Sequence, residues 1–409
     1  MQKKLIAVAV ASVLAAPVAA LAQTSTVNIY GRITFEYGVG DQGTGRPDVD
    51  YADTPGSSAI GFRGEEKLGG GLSAWFQCET SADVRGVDQV GLCSRNSAVG
   101  FKGGFGNLHF GRWDTPMKRA LNQGTVGAYG TGLLGMSFMA FGGSGGADAT
   151  GTGTETAQRQ RWKRREASLA YYESPVFSGF QVLGAFSPGN RAADLPVVDA
   201  DPNPKPRIWS LAGTYSSGPL RVGLGYEKHK EFGAHQGSPA SCFVDSGGAV
   251  TCRVSSLPTS SLDDRAWGIS AAYTFAGKVK VGATYLDAEY ETGVGRTADK
   301  KTWTIGVDWS IAGPHSLHAQ YANASDTKGN SLVGVQTNGG FEASGADTGG
   351  DAWSIAYQYA FSKRTKVRIG YVRVDNDTNS NTYRIGNTAS LLNNGENVDT
   401  FAVHVEHNF

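Results

Sequence analysis

Apolar and polar residues alternate with a period of two through segment after segment of this chain, up to its last residue. In the final segment the odd-numbered positions form the more apolar set: Phe401, Val403, Val405, His407 and Phe409. Such alternation predicts a β-strand with one apolar face and one polar face. After residue 22 no run approaches the ~20 apolar residues of a membrane helix, and no convincing amphipathic helix is present. The chain is therefore predicted to be all-β.

The N-terminal segment 1–22 has the features of a cleaved secretory signal peptide. Two lysines precede an apolar core, and Ala20 and Ala22 provide the small residues of a cleavage site. An uncleaved anchor is the alternative, but the apolar stretch is short for one. We therefore expect an exported mature chain, residues 23–409, that forms a single β-domain.

Charge balance and cysteine spacing narrow the possible functions. The 37 basic and 37 acidic residues leave no net charge, which argues against a nucleic-acid-binding surface. The four cysteines form two close pairs, Cys78 with Cys93 and Cys242 with Cys252. In an exported protein these pairs predict two local disulfides. A zinc site is less favoured, because neither pair has C-x-x-C spacing and no histidine lies beside them.

The predicted strands are joined by two kinds of connection. Short turns, rich in glycine, proline and serine, are predicted at 69–71, 103–106, 174–179, 216–219, 276–277, 312–314 and 362–364. Long polar connections are predicted at 38–57, 80–95, 113–164, 188–206, 228–264, 288–301, 323–351 and 375–397. Together they join sixteen strands. Such asymmetry is typical of a 16-stranded antiparallel transmembrane β-barrel, with short periplasmic turns and long external loops.

The predicted strand faces agree with a barrel in a bilayer. The outward face carries aromatic residues at two levels, with Trp267, Trp303 and Trp353 beside the long connections and Phe275, Phe361 and Phe409 beside the short turns. Two aromatic belts around an apolar band are favoured at the boundaries of a membrane. The opposite face is small and polar, which suits a water-filled lumen better than a packed core.

Three local motifs suggest chemistry but lack the context that the chemistry requires. The G-x-G-x-x-G match at 38–43 is not followed by a helix. Ser144 has nucleophile-elbow spacing, but it lies in a glycine-rich run without a predicted strand or helix. By parity, His404 and Glu406 face inward and His407 faces outward, so one metal site cannot hold all three. We therefore expect no enzyme, no cofactor and no metal.

The connection 113–164 is the longest and the richest in glycine. The residues at its end, together with the first residue after it, are strongly basic: Arg159, Arg161, Lys163, Arg164 and Arg165. One interpretation is a solvated surface loop with a basic end. The other is a loop that folds into the lumen, narrows the pore and sets its electric field.

Several segments, in order along the mature chain, carry a family resemblance: VNIYGR at 27–32, AIGFRGEEKLGGGL at 59–72, VGFKGGFGN at 99–107, FGR with DTP at 110–116, YESP at 172–175, FSKRT at 361–365 and the terminal Phe409. On these segments the chain resembles the Gram-negative general porins, particularly their anion-preferring branch. The resemblance implies a homotrimer in the outer membrane, a third loop bent into the lumen, and a terminal aromatic residue read by the barrel-assembly machinery.

The resemblance also implies which residues form a pore constriction. The basic wall comprises Arg32, Arg112 and Arg165, with Arg63 close by, and the loop-side acidic candidates are Asp114, Asp148 and Glu155. In this family a ladder of arginines lines the constriction, and one of its usual positions is occupied here by Ala59. Arg112 is in phase with Leu108 and Phe110, which are predicted to face the lipid. The strand must therefore bulge or end at Arg112 for this side chain to point inward.

The function predicted from the sequence is passive diffusion of small hydrophilic solutes and ions through a water-filled channel, with lipid surrounding the barrel. Further inward-facing bases, Arg221, Lys280, Lys366 and Arg368, predict a mild anion preference. A substrate-specific channel for organic acids or phosphate on the same scaffold is the main alternative. An outer-membrane enzyme would need a nucleophile and a base at the barrel rim, and an adhesin is suggested only by the length of the loops.

Overall fold

A computed structural model describes the chain over most of its length. The described residues are 26–41, 48–53, 58–86, 91–126, 139, 162–188, 207–230, 241–244, 250–253, 263–293, 295–332, 334, 342–383, 385 and 392–409. The predicted signal peptide lies outside them, as do Ser144, Asp148 and Glu155.

The described residues contain twenty strands: β1 (Thr26–Gly40), β2 (Val49–Asp53), β3 (Ala59–Gly69), β4 (Leu72–Ser81), β5 (Ser97–Gly103), β6 (Gly106–Asp114), β7 (Arg165–Glu173), β8 (Phe180–Ser187), β9 (Arg207–Ser217), β10 (Leu220–Lys230), β11 (Ser241–Val244), β12 (Val250–Arg253), β13 (Asp264–Phe275), β14 (Val279–Gly293), β15 (Arg296–Ala312), β16 (His315–Ala324), β17 (Lys328–Gly329), β18 (Gly350–Ala360), β19 (Thr365–Asn376) and β20 (Val398–Asn408). Sixteen of them form a closed antiparallel barrel, and β2, β11, β12 and β17 lie in the connections. The predicted 16-stranded barrel is therefore confirmed.

The barrel closes where β20 pairs with β1. At this seam Glu36 lies opposite His404, and Nδ1 of His404 is 3.1 Å from Oε2 of Glu36 inside the barrel. Glu406 also faces inward, whereas His407 contacts Thr365 on the exposed outer side. The inward and outward parity predicted for the last strand is thus confirmed, and the three groups are not gathered at one point.

The predicted short turns join the strands expected, but one predicted long connection is wrong. The segment 288–301 is mostly strand, because β14 continues to Gly293 and β15 begins at Arg296. The polar composition of the segment suggested a loop there. Charged side chains pair across the two strands instead, with the Asp287 carboxylate 3.4 Å from the Lys301 ammonium group.

Aromatic residues surround much of the outer face near the long connections. From β9 to β20, each barrel strand contributes one outward-facing member of this aromatic belt: Trp209, Tyr226, Trp267, Tyr285, Trp303, Tyr321, Trp353, Tyr371 and Phe401. Register pairs such as Tyr226 with Trp267 place belt members side by side. At the other end Phe275, Phe361 and Phe409 are exposed. Both predicted aromatic levels are therefore present.

A short helix follows β6. Helix α1 (Pro116–Leu121) begins after Thr115, whose side chain accepts a hydrogen bond from the backbone N–H of Lys118. Proline at the first helical position is favoured, because its fixed φ suits a helix and its missing N–H has no partner there anyway. A 3₁₀ turn, Asn122–Gly124, continues the segment. No helix among the described residues is long and apolar enough to cross a membrane.

Candidate pore constriction

Helix α1 lies inside the barrel and is hydrogen-bonded to its inner wall. The backbone N–H of Met117 donates to the Ser210 hydroxyl on β9 at 3.0 Å. On β13 the Ser270 hydroxyl donates to the carbonyl of Ala120 at 2.7 Å and accepts from the N–H of Gly124 at 3.0 Å. Because one serine binds both the helix and the 3₁₀ turn, it fixes the path of this segment across the wall.

Glycines on the inner wall make room for the same segment. The glycine track comprises Gly223, Gly225, Gly268, Gly282 and Gly306, on four consecutive barrel strands. A Cβ on Gly268 would lie 2.7 Å from Leu121 Cδ2, and one on Gly306 would lie 2.7 Å from Val126 Cγ2. Larger residues would therefore push the segment toward the centre of the lumen. The inner-face glycines, which the sequence suggested only as small lumen residues, are a docking surface for the third connection.

The third long connection, predicted at 113–164 and containing helix α1, also contacts the far side of the barrel. Met139 is buried in a hydrophobic cluster with inner-face residues of β16, β18, β19 and β20, including Ala322 and Val372. Tyr383 and Leu392, from the last long connection, belong to the same cluster. The described residues of the third connection thus lie in the lumen and contact both sides of it. The interpretation as a lumen loop is therefore confirmed and that as a surface loop is not.

The connection returns to the wall through Trp162, which is fully buried. Its ring stacks on His229 of β10 with centroids 4.5 Å apart, and its Nε1–H donates to the Tyr290 hydroxyl at 2.9 Å. His229 Nε2 lies 2.8 Å from the Glu227 carboxylate, which is also fully buried. Buried charges are costly unless they are paired, so this paired cluster supports a fixed rather than a loose return.

Lys163 and Arg164, which follow Trp162, lie in the same buried region. Arg164 contacts the Glu166 carboxylate at 2.6 Å, and both side chains are buried. Burial, followed by repulsion from Lys118, lowers the pKa of Lys163 to about 7, while attraction to Asp114 opposes the shift. The lumen loop therefore carries a lysine whose charge is only partly retained near neutral pH.

The structure brings two of the expected constriction residues together. Asp114 and Arg165 are register partners on β6 and β7, and Arg165 Nε lies 3.2 Å from the Asp114 carboxylate. Lys118 contacts the same carboxylate at 2.7 Å, and Asn96 accepts from Arg165 at 2.6 Å. This aspartate is thus held beside the expected basic wall and does not face Arg165 across an open gap.

The pairing of β6 with β7 is irregular beside Arg112. Between Gly111 and Trp113, Arg112 of β6 lies opposite two residues of β7, Ala167 and Ser168, so the extra residue is on β7. Gly111 has φ +151°, and a Cβ there would meet Ala98 at 2.7 Å, so glycine is needed for the close approach of β5. Arg112 pairs regularly with Ser97 of β5 and is half-buried, so the bulge expected at Arg112 lies on the neighbouring strand instead. The inward direction of the Arg112 side chain stays a prediction.

A second basic group lies on β3 and in the connection after β4. The Arg63 guanidinium carbon is 4.9 Å from the centroid of the Tyr30 ring. The Tyr30 hydroxyl donates to Glu79 at 3.1 Å, and Arg95 contacts the same glutamate at 2.6 Å. Arg95 was not singled out from the sequence. The disulfide between Cys78 and Cys93 links the backbone next to Glu79 to the backbone two residues before Arg95.

Basic residues from the two neighbouring strands, β19 and β1, surround Glu406 near the short-turn end. Arg368 lies 3.2 Å from its carboxylate and Lys366 lies 3.6 Å from it. Arg32 interacts electrostatically with the same group. Elsewhere on the inner face, no ion pair between described residues joins Arg63, Arg221 or Lys280 to a carboxylate.

The other expectations fall partly outside the described residues. Cys78 and Cys93 form the predicted disulfide. Cys242 and Cys252 are register partners in the hairpin of β11 and β12, but their side chains lie outside the described part. Among the described residues, no group of three or more histidine, cysteine or acidic side chains could hold a metal ion.

Relatives of known type share both sequence and fold with the chain. The family model for Gram-negative porins matches residues 7–379. The major outer membrane protein P.IB of Neisseria sicca is 30% identical over 247 residues, which is 58% of each chain. A homologue of that name from Neisseria gonorrhoeae is 32% identical over 196 residues, covering 46% of this chain and 49% of its own. The chain thus spans about half the length of the curated relatives that it matches.

Solved structures give the same barrel. The anion-selective porin from Comamonas acidovorans has a TM-score of 0.68 and 21% identity, and covers 94% of this chain and 100% of its own. The trimer form of OmpT from Vibrio cholerae has a TM-score of 0.61 and 16% identity, with 95% and 100% covered. These likenesses establish a shared fold. Because the family model covers most of the sequence, the chain belongs to the Gram-negative porin family.

Proposed function

We propose that this outer-membrane barrel is a water-filled channel through which small hydrophilic solutes and ions diffuse. The observation that carries the proposal is the position of the described residues of the third connection, which lie on the glycine track and contact the opposite wall at Met139. A loop fixed across the lumen narrows the passage and excludes solutes by size. No bond needs to be made or broken, and family membership supports a channel rather than an enzyme.

We further propose a mild preference for anions. Glu79, Glu406 and Asp114, all on the inner wall, are each held by basic side chains. Arg63 and Arg221 are exposed inner-face bases that form no ion pair with a carboxylate among the described residues. Positive charges without such partners raise the local concentration of anions in a narrow aqueous passage. The fold neighbour from Comamonas is described as anion-selective, which agrees with this proposal.

The residues proposed for the constriction are those of the expected basic wall: Arg32, Arg63, Arg112 and Arg165. Asp114 is proposed as a structural partner of Arg165 rather than as an acidic group across the passage, because the two side chains are in contact. Asp148 and Glu155 remain candidates for the loop side.

Single-channel recording of the purified protein in a planar bilayer tests the proposal. We expect conductance that rises with salt concentration and is not blocked by any single solute. Failure to conduct in the folded state would refute the channel. Saturable block by one organic acid or by phosphate would instead favour a substrate-specific channel on the same barrel.

We also propose the assembly that the family resemblance implies. The chain is exported with residues 1–22 removed, is inserted by the barrel-assembly machinery and forms a homotrimer. The trimer form of OmpT, a fold neighbour, supports the oligomeric state. Gel mobility of the unheated and the heated protein would distinguish a trimer from a monomer, and mass spectrometry would locate the mature N-terminus.

A further inference from the structure

The outer face of the barrel contains a groove at one edge of the aromatic belt. A cavity of about 490 Å³ opens between β6 and β10, a volume within the range of roughly 300–1,000 Å³ that is usual for ligand clefts. Its walls are largely apolar and include Leu108, Tyr172, Phe186, Trp209 and Leu211. Most of these side chains are exposed on the outer face, so the groove faces the bilayer and not the lumen.

A glycine keeps this groove open. Gly184 lies opposite Tyr172 on one neighbouring strand and opposite Leu211 on the other. A Cβ at this position would meet only one atom within 4 Å, Leu211 Cδ1 at 4.0 Å. The packing of the barrel therefore does not require a glycine at this position. The groove lies beside the Phe186 and Trp209 rings, whose centroids are 4.3 Å apart.

Basic side chains lie directly beyond the groove, toward the long connections. Arg207 of β9 is the register partner of Lys230, and Lys228 of β10 is the register partner of Arg265. Like charges directly opposite each other on neighbouring strands are destabilising. Lys228 is offset by Asp263 at 3.0 Å.

Acidic side chains neutralise only part of this basic rim, which comprises Arg207, Lys228, Lys230 and Arg265. The Glu289 carboxylate lies 2.8 Å from Arg265. The exposed Arg207 has no ion-pair partner among the residues that the structure describes. A pattern of opposed bases with at least one uncompensated charge is complementary to an anion.

The distance of these bases from the aromatic belt matches the position of a lipid headgroup. Arg207 is two residues beyond the belt residue Trp209, which is about 7 Å along a strand. The polar layer that flanks the hydrocarbon core of a bilayer is of similar thickness, about 5–7 Å on each side. An acyl chain in the groove would therefore place a headgroup phosphate at the level of Arg207, on the side of the long external connections.

We propose that this groove and its basic rim bind one phosphate-bearing lipid of the outer leaflet. An acyl chain occupies the groove at Gly184, and the phosphate is bound by Arg207 with Lys230 and Lys228. A second copy of the chain is the less favoured occupant, because Trp209 and Tyr226 continue the aromatic belt into the groove and such a belt marks contact with lipid. The site lies outside the lumen and is independent of the proposed channel function.

Native mass spectrometry of the full chain in detergent tests the proposal, with bisphosphorylated lipid A, its dephosphorylated form and inorganic phosphate as probes. We expect one lipid A per chain, little retention of the dephosphorylated form, and no displacement by an equal concentration of inorganic phosphate. Arg207→Gln with Lys230→Gln should weaken binding about ten-fold or more. Gly184→Phe should do the same by filling the groove.

Matched controls separate this site from general effects. Gly213→Phe adds a ring at another open, outward-facing glycine, and Lys301→Gln with Arg373→Gln removes two outward bases beyond other belt residues. Neither control should change lipid binding, and no variant should change conductance.

Several outcomes would overturn the proposal. Equal binding in the site variants and the controls would do so, as would equal retention of the dephosphorylated lipid. Gly184→Phe that alters the oligomeric state but not lipid retention would identify the groove as a protein contact instead. The two site variants change separate parts of the surface, so either one suffices if the other fails to fold.

Discussion

The ring of Phe409, the last residue, packs against Gly31 on the outer face of the barrel seam. The Phe409 N–H donates to the Gly31 carbonyl at 3.0 Å, and the Gly31 N–H donates to the Phe409 carbonyl at 3.2 Å. A Cβ on Gly31 would overlap the Phe409 ring, so glycine is required beneath it. The terminal aromatic residue thus completes the pairing of β20 with β1 and is part of the closed wall.

Replacing this terminal residue should impair assembly more than transport. We expect Phe409→Ala to lower the yield of folded trimer several-fold, because the ring that covers the seam is lost, while channels that do fold keep their conductance. Phe361→Ala removes another exposed aromatic residue at the same end of the barrel and serves as the control. A normal yield of Phe409→Ala trimer would contradict the proposed role of Phe409 in assembly.

Loss of the Ser270 hydroxyl should loosen the lumen loop. Ser270 is 2% exposed, and Ser270→Ala leaves the Gly124 N–H and the Ala120 carbonyl without their partner. An unsatisfied buried group costs about 1–3 kcal/mol. We therefore expect noisier single-channel currents and faster proteolysis of the third connection. Ser354→Ala, on the inner face of β18, should have neither effect, and an equal effect of both substitutions would argue against a specific tether.

Docking of the lumen loop should strengthen with rising pH. The pKa of Lys163 falls from 10.5 to about 7 on burial, so the unfolded chain binds more protons than the docked loop between these values. Stability of docking therefore rises with pH across this window and is constant below it. Proteolysis of the loop should be slower at about pH 9 than at about pH 7. In Lys163→Met that difference should disappear, whereas Lys228→Met should retain it.

The Cys78–Cys93 disulfide should stabilise the barrel near Glu79. The two cysteines are separated by 15 residues, and in the chain-entropy model a loop of this size contributes about 3 kcal/mol. Cys78→Ser with Cys93→Ser should lower the free energy of unfolding by up to that amount, as measured by urea titration in lipid vesicles. Reductant should destabilise the wild type but not this variant. Equal sensitivity of the two proteins to reductant would contradict this expectation.

The sequence predicts the barrel well because each strand crosses a strongly anisotropic environment. Inside the bilayer one face meets lipid and the other meets water, so alternation is enforced and the turns stand out. Beyond the bilayer both faces meet water, and the alternation disappears. For that reason the polar segment 288–301 suggested a loop, although its Lys301 pairs with Asp287 across neighbouring strands.

The candidate constriction is less predictable, because it depends on contacts between distant segments. Parity correctly indicated the inward direction of Glu406, but the bulge expected at Arg112 lies on β7. It could not indicate that the glycine track receives a loop from another part of the chain. The contact of Asp114 with Arg165 could have been found, since residues that flank a loop between adjacent antiparallel strands are often register partners.

The reversal potential of single channels in a potassium chloride gradient tests the central claim, a positively biased aqueous passage, most directly. We expect a potential of the sign that indicates anion preference, reduced in Arg63→Gln with Arg221→Gln because two inner-face bases are lost. Lys228→Gln, which removes an outward-facing base, should leave it unchanged. A wild-type potential that indicates cation preference would contradict the account.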